Sequence, residues 1–168
     1  MSNHIDEPRL ARMEISKQAL KFSIAHFTIF SEHERENLHG HNFQLVCEVA
    51  APVSNNGLLF DYGILKKLLR SLCDEIDEQL ILPTKSPHLS IAEKDDCVIA
   101  IFDGAAMSFM KRDVTLLPIR NTTVEEFSWY FLNKIRDHHE IVDKGVAELT
   151  VKVSSSPGQF GTACWRRA

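Results

Sequence analysis

Two histidines flank one glycine in the stretch Glu34-Arg35-Glu36-Asn37-Leu38-His39-Gly40-His41-Asn42-Phe43. In an extended chain residues i and i+2 point to the same side, so His39 and His41 stand next to each other. His26 ends an earlier alternating run, on its apolar register. If the two extended segments pair as an antiparallel hairpin, three imidazoles converge. Three protein ligands with a fourth position left open is the arrangement of a catalytic zinc site. Imidazoles alone do not select zinc over copper, nickel or iron, and the same His-Gly-His spacing is met where both rings are only polar loop residues. Of the other histidines, His33 lies in the charged loop beside the triad and is a lesser candidate for it. His88 reads as a solvated loop residue. His138 and His139 read as the end of a helix, where a cation suits the macrodipole.

The elements that must position the triad are visible as periodicities. Leu20, Phe22, Ile24 and His26 alternate at every second position, which predicts a strand with one buried face. His39, His41, Phe43, Leu45, Cys47 and Val49 repeat the pattern, and turn residues over 52–57 bound it. The charged segment 31–38 between them is a loop. Asp61 is placed to cap a helix, whose apolar face is Leu65, Leu68, Leu69, Leu72 and Ile76. Two short strands, 97–102 and 106–110, flank Asp103-Gly104 as a hairpin. Thr123-Val124-Glu125-Glu126 has the form of a capping box, opening a second helix with Val124, Phe127, Phe131 and Ile135 on one face. Leu149, Val151 and Val153 form a last alternating run, followed by a short strand over 162–165. The sum is an α+β pattern, an antiparallel sheet with helices on one face.

A chain of 168 residues predicts one domain, 13–168, behind a loosely held polar arm, 1–12. A net charge of −4 leaves no electrostatic footprint for nucleic acid. The four cysteines are widely spaced with no CxxC pair, which excludes a zinc ribbon or a dithiol redox motif; three sit in apolar surroundings as buried thiols. The polar start Met1-Ser2-Asn3-His4 is unlike a secretory signal. No apolar run approaches the ~20 residues of a membrane span, so a cytoplasmic protein without a membrane partner is expected.

Five segments in one order carry a resemblance: Phe22–His26 (FSIAH), Leu38–Phe43 (LHGHNF), Gly57–Leu69 (GLLFDYGILKKLL), Leu117–Phe127 (LPIRNTTVEEF) and Val153–Gln159 (VSSSPGQ). Together they resemble the 6-pyruvoyl-tetrahydropterin synthase / 6-carboxytetrahydropterin synthase family. The resemblance implies a T-fold: a four-stranded antiparallel sheet with two helices on one face, here with a hairpin insertion. It further implies assembly into an oligomeric barrel, a tetramer or hexamer with sites between subunits. It implies Zn²⁺ on His26, His39 and His41, and 7,8-dihydroneopterin triphosphate as the usual small-molecule substrate.

The chain departs from that pattern at three positions. Arg35 stands where the usual members carry a cysteine base, while Glu36 fits an ExxHGH branch that uses glutamate and resembles an aldolase-like lyase releasing 6-hydroxymethyl-dihydropterin. Asp77-Glu78 replaces the Asp-His relay pair, leaving Asp77 as the remaining acid. Ser155 stands in place of the pterin-gripping glutamate. Glu125 matches the family's other acid, and Thr123 is a helix cap first and a pterin contact second. The expectation is a zinc-dependent pterin lyase with Glu36 and Asp77 moving protons and Glu125, Thr123 and Ser155 touching substrate. The alternatives are a metal-bearing homologue with an altered substrate or non-catalytic pterin binding, and a metal-free structural protein.

Overall fold

The computed structural model describes residues 9–168. Ten strands are formed: β1 (Leu10–Ile15), β2 (Lys21–His26), β3 (His39–Pro52), β4 (Gln79–Pro83), β5 (Ser90–Lys94), β6 (Cys97–Phe102), β7 (Ala105–Met110), β8 (Val114–Leu117), β9 (Glu148–Ser156) and β10 (Gln159–Arg166). The helices are α1 (Tyr62–Asp74), α2 (Val124–Arg136) and the single-turn α3 (His139–Val142). Asp61 caps α1, its Oδ1 accepting the Gly63 amide at 2.9 Å. Thr123 caps α2, accepting the Glu126 amide at 3.4 Å. The reciprocal half of the box is displaced: the Glu126 carboxylate accepts the Arg120 amide at 2.7 Å instead.

The main sheet runs β10-β9-β3-β2-β4-β8, with β1 joined to β3 as the seventh strand. β3 is long because it serves two neighbours in turn: its first half pairs antiparallel with β2, and its second half with β1. β9 lines its other edge over Gln44–Ala50. The four-stranded antiparallel sheet implied by the resemblance is therefore corrected to seven strands, of which the β2–β4 and β4–β8 pairs are parallel. The hairpin over 97–110 is present, turning at Asp103 and Gly104 with φ of 46° and 75°, and β5 makes it a separate three-stranded sheet. Of the arm expected over 1–12, residues 1–8 lie outside the described residues, and 10–12 are already paired in β1.

Two apolar cores follow from this topology. The larger lies between the main sheet and the helices, where Phe22, Phe43, Leu45, Val151 and Val153 meet Leu65, Leu69, Phe127, Phe131 and Ile135. Phe22 stacks on Phe43 with centroids 5.2 Å apart, and Phe127 stands edge-on to both. Each such ring contributes about 1.5–3 kcal/mol by leaving water. The smaller core joins Phe27, Ile29, Leu80 and Leu82 to Val98, Ala100 and Phe102 of the three-stranded sheet. β4 is thus covered on both sides, with Ile81 in the larger core and Leu80 and Leu82 in the smaller. Cys47 and Cys73 are fully buried, and burial pushes both thiols up to about 12. Cys97 is half-buried and Cys164 exposed, so two of the thiols are enclosed rather than three. Among the described residues no helix is long and apolar enough to cross a membrane.

Candidate metal centre

The β2–β3 register sets His26 directly opposite His39 and Ile24 opposite His41. Because His26 keeps the parity of Phe22 and Ile24, and His39 and His41 that of Phe43, all three rings rise from the helix side of the sheet. Their centroids are 4.7 Å (His26–His39), 4.7 Å (His39–His41) and 5.4 Å (His26–His41) apart. One ligand atom from each lies within 4.8 Å of the others. Phe43 forms the floor, 5.4 Å from His26 and 6.1 Å from His41. Exposure is graded, with His26 buried, His39 half-buried and His41 exposed, so access is from the His41 side.

Hydrogen bonding fixes which nitrogens face inward. His26 Nδ1 lies 3.0 Å from the Thr122 carbonyl, and His39 Nδ1 2.7 Å from the Asn37 carbonyl. A carbonyl only accepts, so both Nδ1 atoms carry the proton and both Nε2 atoms present lone pairs. His26 Nε2 is buried with no partner. Burial, followed by the neighbouring His39, lowers the His26 pKa to about 4, so the ring is a neutral ligand at pH 7. An orphaned inward lone pair on a neutral, carbonyl-anchored imidazole, in a set of three nitrogen donors, fits a divalent metal.

Glu36 enters from the loop before β3. Its Oε2 accepts the Thr28 amide at 2.9 Å and lies 3.9 Å from His39 Nε2. Burial alone would push this carboxyl up; hydrogen bonding from Thr28, helped by His39 and His26, outweighs it and holds the group below the ordinary range. Asp77 is elsewhere: its Oδ1 accepts the Ser23 amide at 2.6 Å, three residues before His26 on β2, or about 10 Å along the strand. Thr123 and Glu125 occupy the start of α2, with Glu125 exposed. Ser155 follows Ser154, which pairs with Gln44, so it shares the helix-facing side with Val151 and Val153.

Sequence reasoning did not single out Thr122 or Asn121. Thr122 accepts from His26 through its carbonyl and donates its buried hydroxyl to the Phe27 carbonyl at 2.8 Å. Asn121 binds both the amide and the carbonyl of Ile29, at 3.0 and 2.8 Å. The turn before α2 is therefore latched to the end of β2, and Asn-Thr just ahead of a capping box was its only trace in the sequence. His33 is drawn off to Asp103, 3.0 Å away. His138 and His139 begin α3 instead of ending α2. They form a second group with Glu140, but His138 Nδ1 is already engaged as the cap, accepting the Glu140 amide at 3.3 Å.

A sheet backed by two helices, carrying three imidazoles on paired strands with a carboxylate at their rim, defines an α+β protein with a histidine cluster that could hold a metal ion. The chain belongs to the 6-pyruvoyl tetrahydropterin synthase family, whose model matches residues 14–164. A Methanocaldococcus jannaschii protein named "Putative 6-carboxy-5,6,7,8-tetrahydropterin synthase" is 30% identical over 150 residues, 88% of this chain and 90% of its own. The crystal structure of 6-pyruvoyl tetrahydropterin synthase from Plasmodium vivax superposes with a TM-score of 0.87 at 31% identity, covering 95% of this chain and 99% of the other. A second structure of the Plasmodium vivax enzyme, in which a glutamate described as a catalytic residue is replaced by alanine, matches equally well.

Proposed function

We propose that this protein is a zinc-dependent lyase that cleaves the side chain of 7,8-dihydroneopterin or its triphosphate to give 6-hydroxymethyl-dihydropterin. The carrying observation is the Glu36 carboxylate at 3.9 Å from Nε2 of His39, within a triad whose inward nitrogens have no protein partner at His26. Family membership and the catalytic glutamate of the Plasmodium vivax relative support the same reading. His26, His39 and His41 would hold the metal, which when bound supplies Lewis acidity to the side-chain oxygens of the substrate. Glu36, ionised at neutral pH, accepts the proton of the C2′ hydroxyl. The C1′–C2′ bond breaks, its electron pair passes to C1′ in conjugation with the ring, and C1′ takes up a proton. The remaining two carbons leave as an aldehyde, so no oxidant or reductant is needed.

Assembly into a homo-oligomer with sites between subunits belongs to the same proposal. It is supported by β10, which ends the main sheet with no neighbour on its outer side among the described residues; an unpaired edge is a template for another chain. A cytoplasmic location completes the reading. The second reading, pterin binding without turnover, is favoured by Asp77 being spent on the Ser23 amide. The test is incubation of the zinc-loaded protein with dihydroneopterin and its triphosphate, with separation of 6-hydroxymethyl, 6-pyruvoyl and 6-carboxy products. Formation of 6-hydroxymethyl-dihydropterin is expected. Calorimetric binding with no product would establish the second reading.

A further inference from the structure

Glu36 lies in a charged loop that adds no side chain to either apolar core, yet its carboxylate has a defined position. The backbone of the loop is tied to the segment after β2, the Glu36 amide donating to the Thr28 carbonyl at 2.8 Å while the Thr28 amide returns to Glu36 Oε2. The adjacent Arg35 is held more firmly. Its guanidinium lies 4.8 Å from the Phe27 ring centroid and 5.7 Å from that of Phe102. From there Nη1 donates to the carbonyl of Glu36 itself at 2.7 Å. Phe27 directly follows the metal-site residue His26, and Phe102 ends β6; both are buried in the smaller core. One residue beyond Phe102, Asp103 meets His33 of the same loop at 3.0 Å.

We propose that the three-stranded sheet β5–β7 is a positioning platform for the Glu36 loop, with Arg35 as the positioning residue that locks the Glu36 peptide by lying between Phe27 and Phe102. This rests on the reading of Glu36 as the base. The chemistry suits arginine alone: a planar cation can lie on an aromatic face and still donate in its own plane to a carbonyl, which an ammonium cannot do. Fixing the Glu36 carbonyl fixes the direction in which its side chain leaves the backbone, and a displacement of ~1 Å at a reacting group can cost about a hundredfold in rate.

The test compares Arg35→Ala, Arg35→Lys and Phe102→Leu with the parent as zinc-loaded proteins. Expected for Arg35→Ala is a kcat lower by about 10- to 100-fold, with KM within threefold, zinc content unchanged and the urea midpoint near that of the parent. Lysine does not rescue it, whereas millimolar methylguanidinium, refilling the slot, restores at least a threefold part of the loss. A second readout is independent of activity. Amide hydrogen exchange at Thr28 and Glu36 accelerates at least tenfold in Arg35→Ala and Phe102→Leu, while amides of β9 keep their protection. Unchanged exchange at Thr28 and Glu36 overturns the proposal, as does a kcat within twofold of the parent. Accelerated exchange in a protein whose parent turns over no pterin upholds the clamp and refutes the lyase reading instead.

Discussion

Replacing His26 by leucine in the metal-free protein separates a buried imidazole from every other titrating group. The His26 pKa is lowered from 6.5 to about 4 in the folded chain, chiefly by burial and then by His39. The unfolded chain therefore binds the His26 proton more readily. The sign is fixed by this: the neutral ring's contribution is intact above pH 6.5 and is lost as pH falls toward 4. At ~1.4 kcal/mol for each pH unit the full loss is about 3 kcal/mol, of which roughly 2.5 kcal/mol is expressed by pH 4.5. For a domain of this size that corresponds to a fall in Tm on the order of 5–10 °C. The leucine variant lacks this proton; it leaves the Thr122 carbonyl without its donor, but that cost is the same at every pH. Urea unfolding in EDTA from pH 7.5 to 4.5 should show the stability of the parent falling relative to that of His26→Leu by about 2.5 kcal/mol. Curves that stay parallel within about 0.5 kcal/mol, against the ~2.5 kcal/mol expected, would refute the buried-neutral account of His26.

Glu36→Gln keeps the shape of the side chain and removes the base, so kcat should fall by roughly 100-fold or more with zinc content, by elemental analysis, unchanged. Saturating zinc should raise the thermal midpoint of the parent at pH 7.5 and leave that of His26→Leu nearly unmoved, as read by differential scanning calorimetry. Phe43→Ala removes the floor ring shared by the triad and the larger core and should cost about 3–5 kcal/mol in urea unfolding. At Gly161 an added Cβ would stand 2.4 Å from the carbonyl carbon of Val124. Backbone cannot yield as a side-chain tip can, so Gly161→Ala should cost about 1–3 kcal/mol or more by forcing β10 off the start of α2.

The elements around the metal centre were legible because each has one wet face. β2 and the start of β3 alternate strictly, and α1 and α2 carry an apolar stripe at helical spacing. β4 was not legible for the opposite reason. With Leu80 and Leu82 in one core and Ile81 in the other, its sequence is an unbroken apolar run without a period, as parallel strands covered on both faces usually are. β1 buries only Ile15, so its polar residues read as an arm. The second parallel pair hides in the four residues of β8. At the site, the three histidines are singled out by their spacing and Glu36 by the resemblance to the ExxHGH branch, whereas Thr122 acts on His26 through a backbone carbonyl, which any residue possesses and no motif records. Asp77 is singled out by its match to the acid of the family's Asp-His pair, and its carboxylate accepts the Ser23 amide where α1 meets β2.

The triad also carries an argument in its energetics. Three imidazoles packed with centroids 4.7–5.4 Å apart would, in a structural cluster, exchange hydrogen bonds ring to ring. Here the Nδ1 protons of His26 and His39 are turned outward to the carbonyls of Thr122 and Asn37, so the Nε2 atoms of these two rings present lone pairs inward. Leaving His26 Nε2 buried and unpartnered costs about 1–3 kcal/mol, and protonating it to supply a donor is opposed by burial and by His39. The fold accepts this cost at a point held from two directions, by the β2–β3 register and by the Asn121-Thr122 latch. A cation that accepts lone pairs removes the penalty without moving either strand, and it does so more completely the more neutral the rings are. The features that make three clustered imidazoles unfavourable on their own are the ones that would suit them to a metal ion.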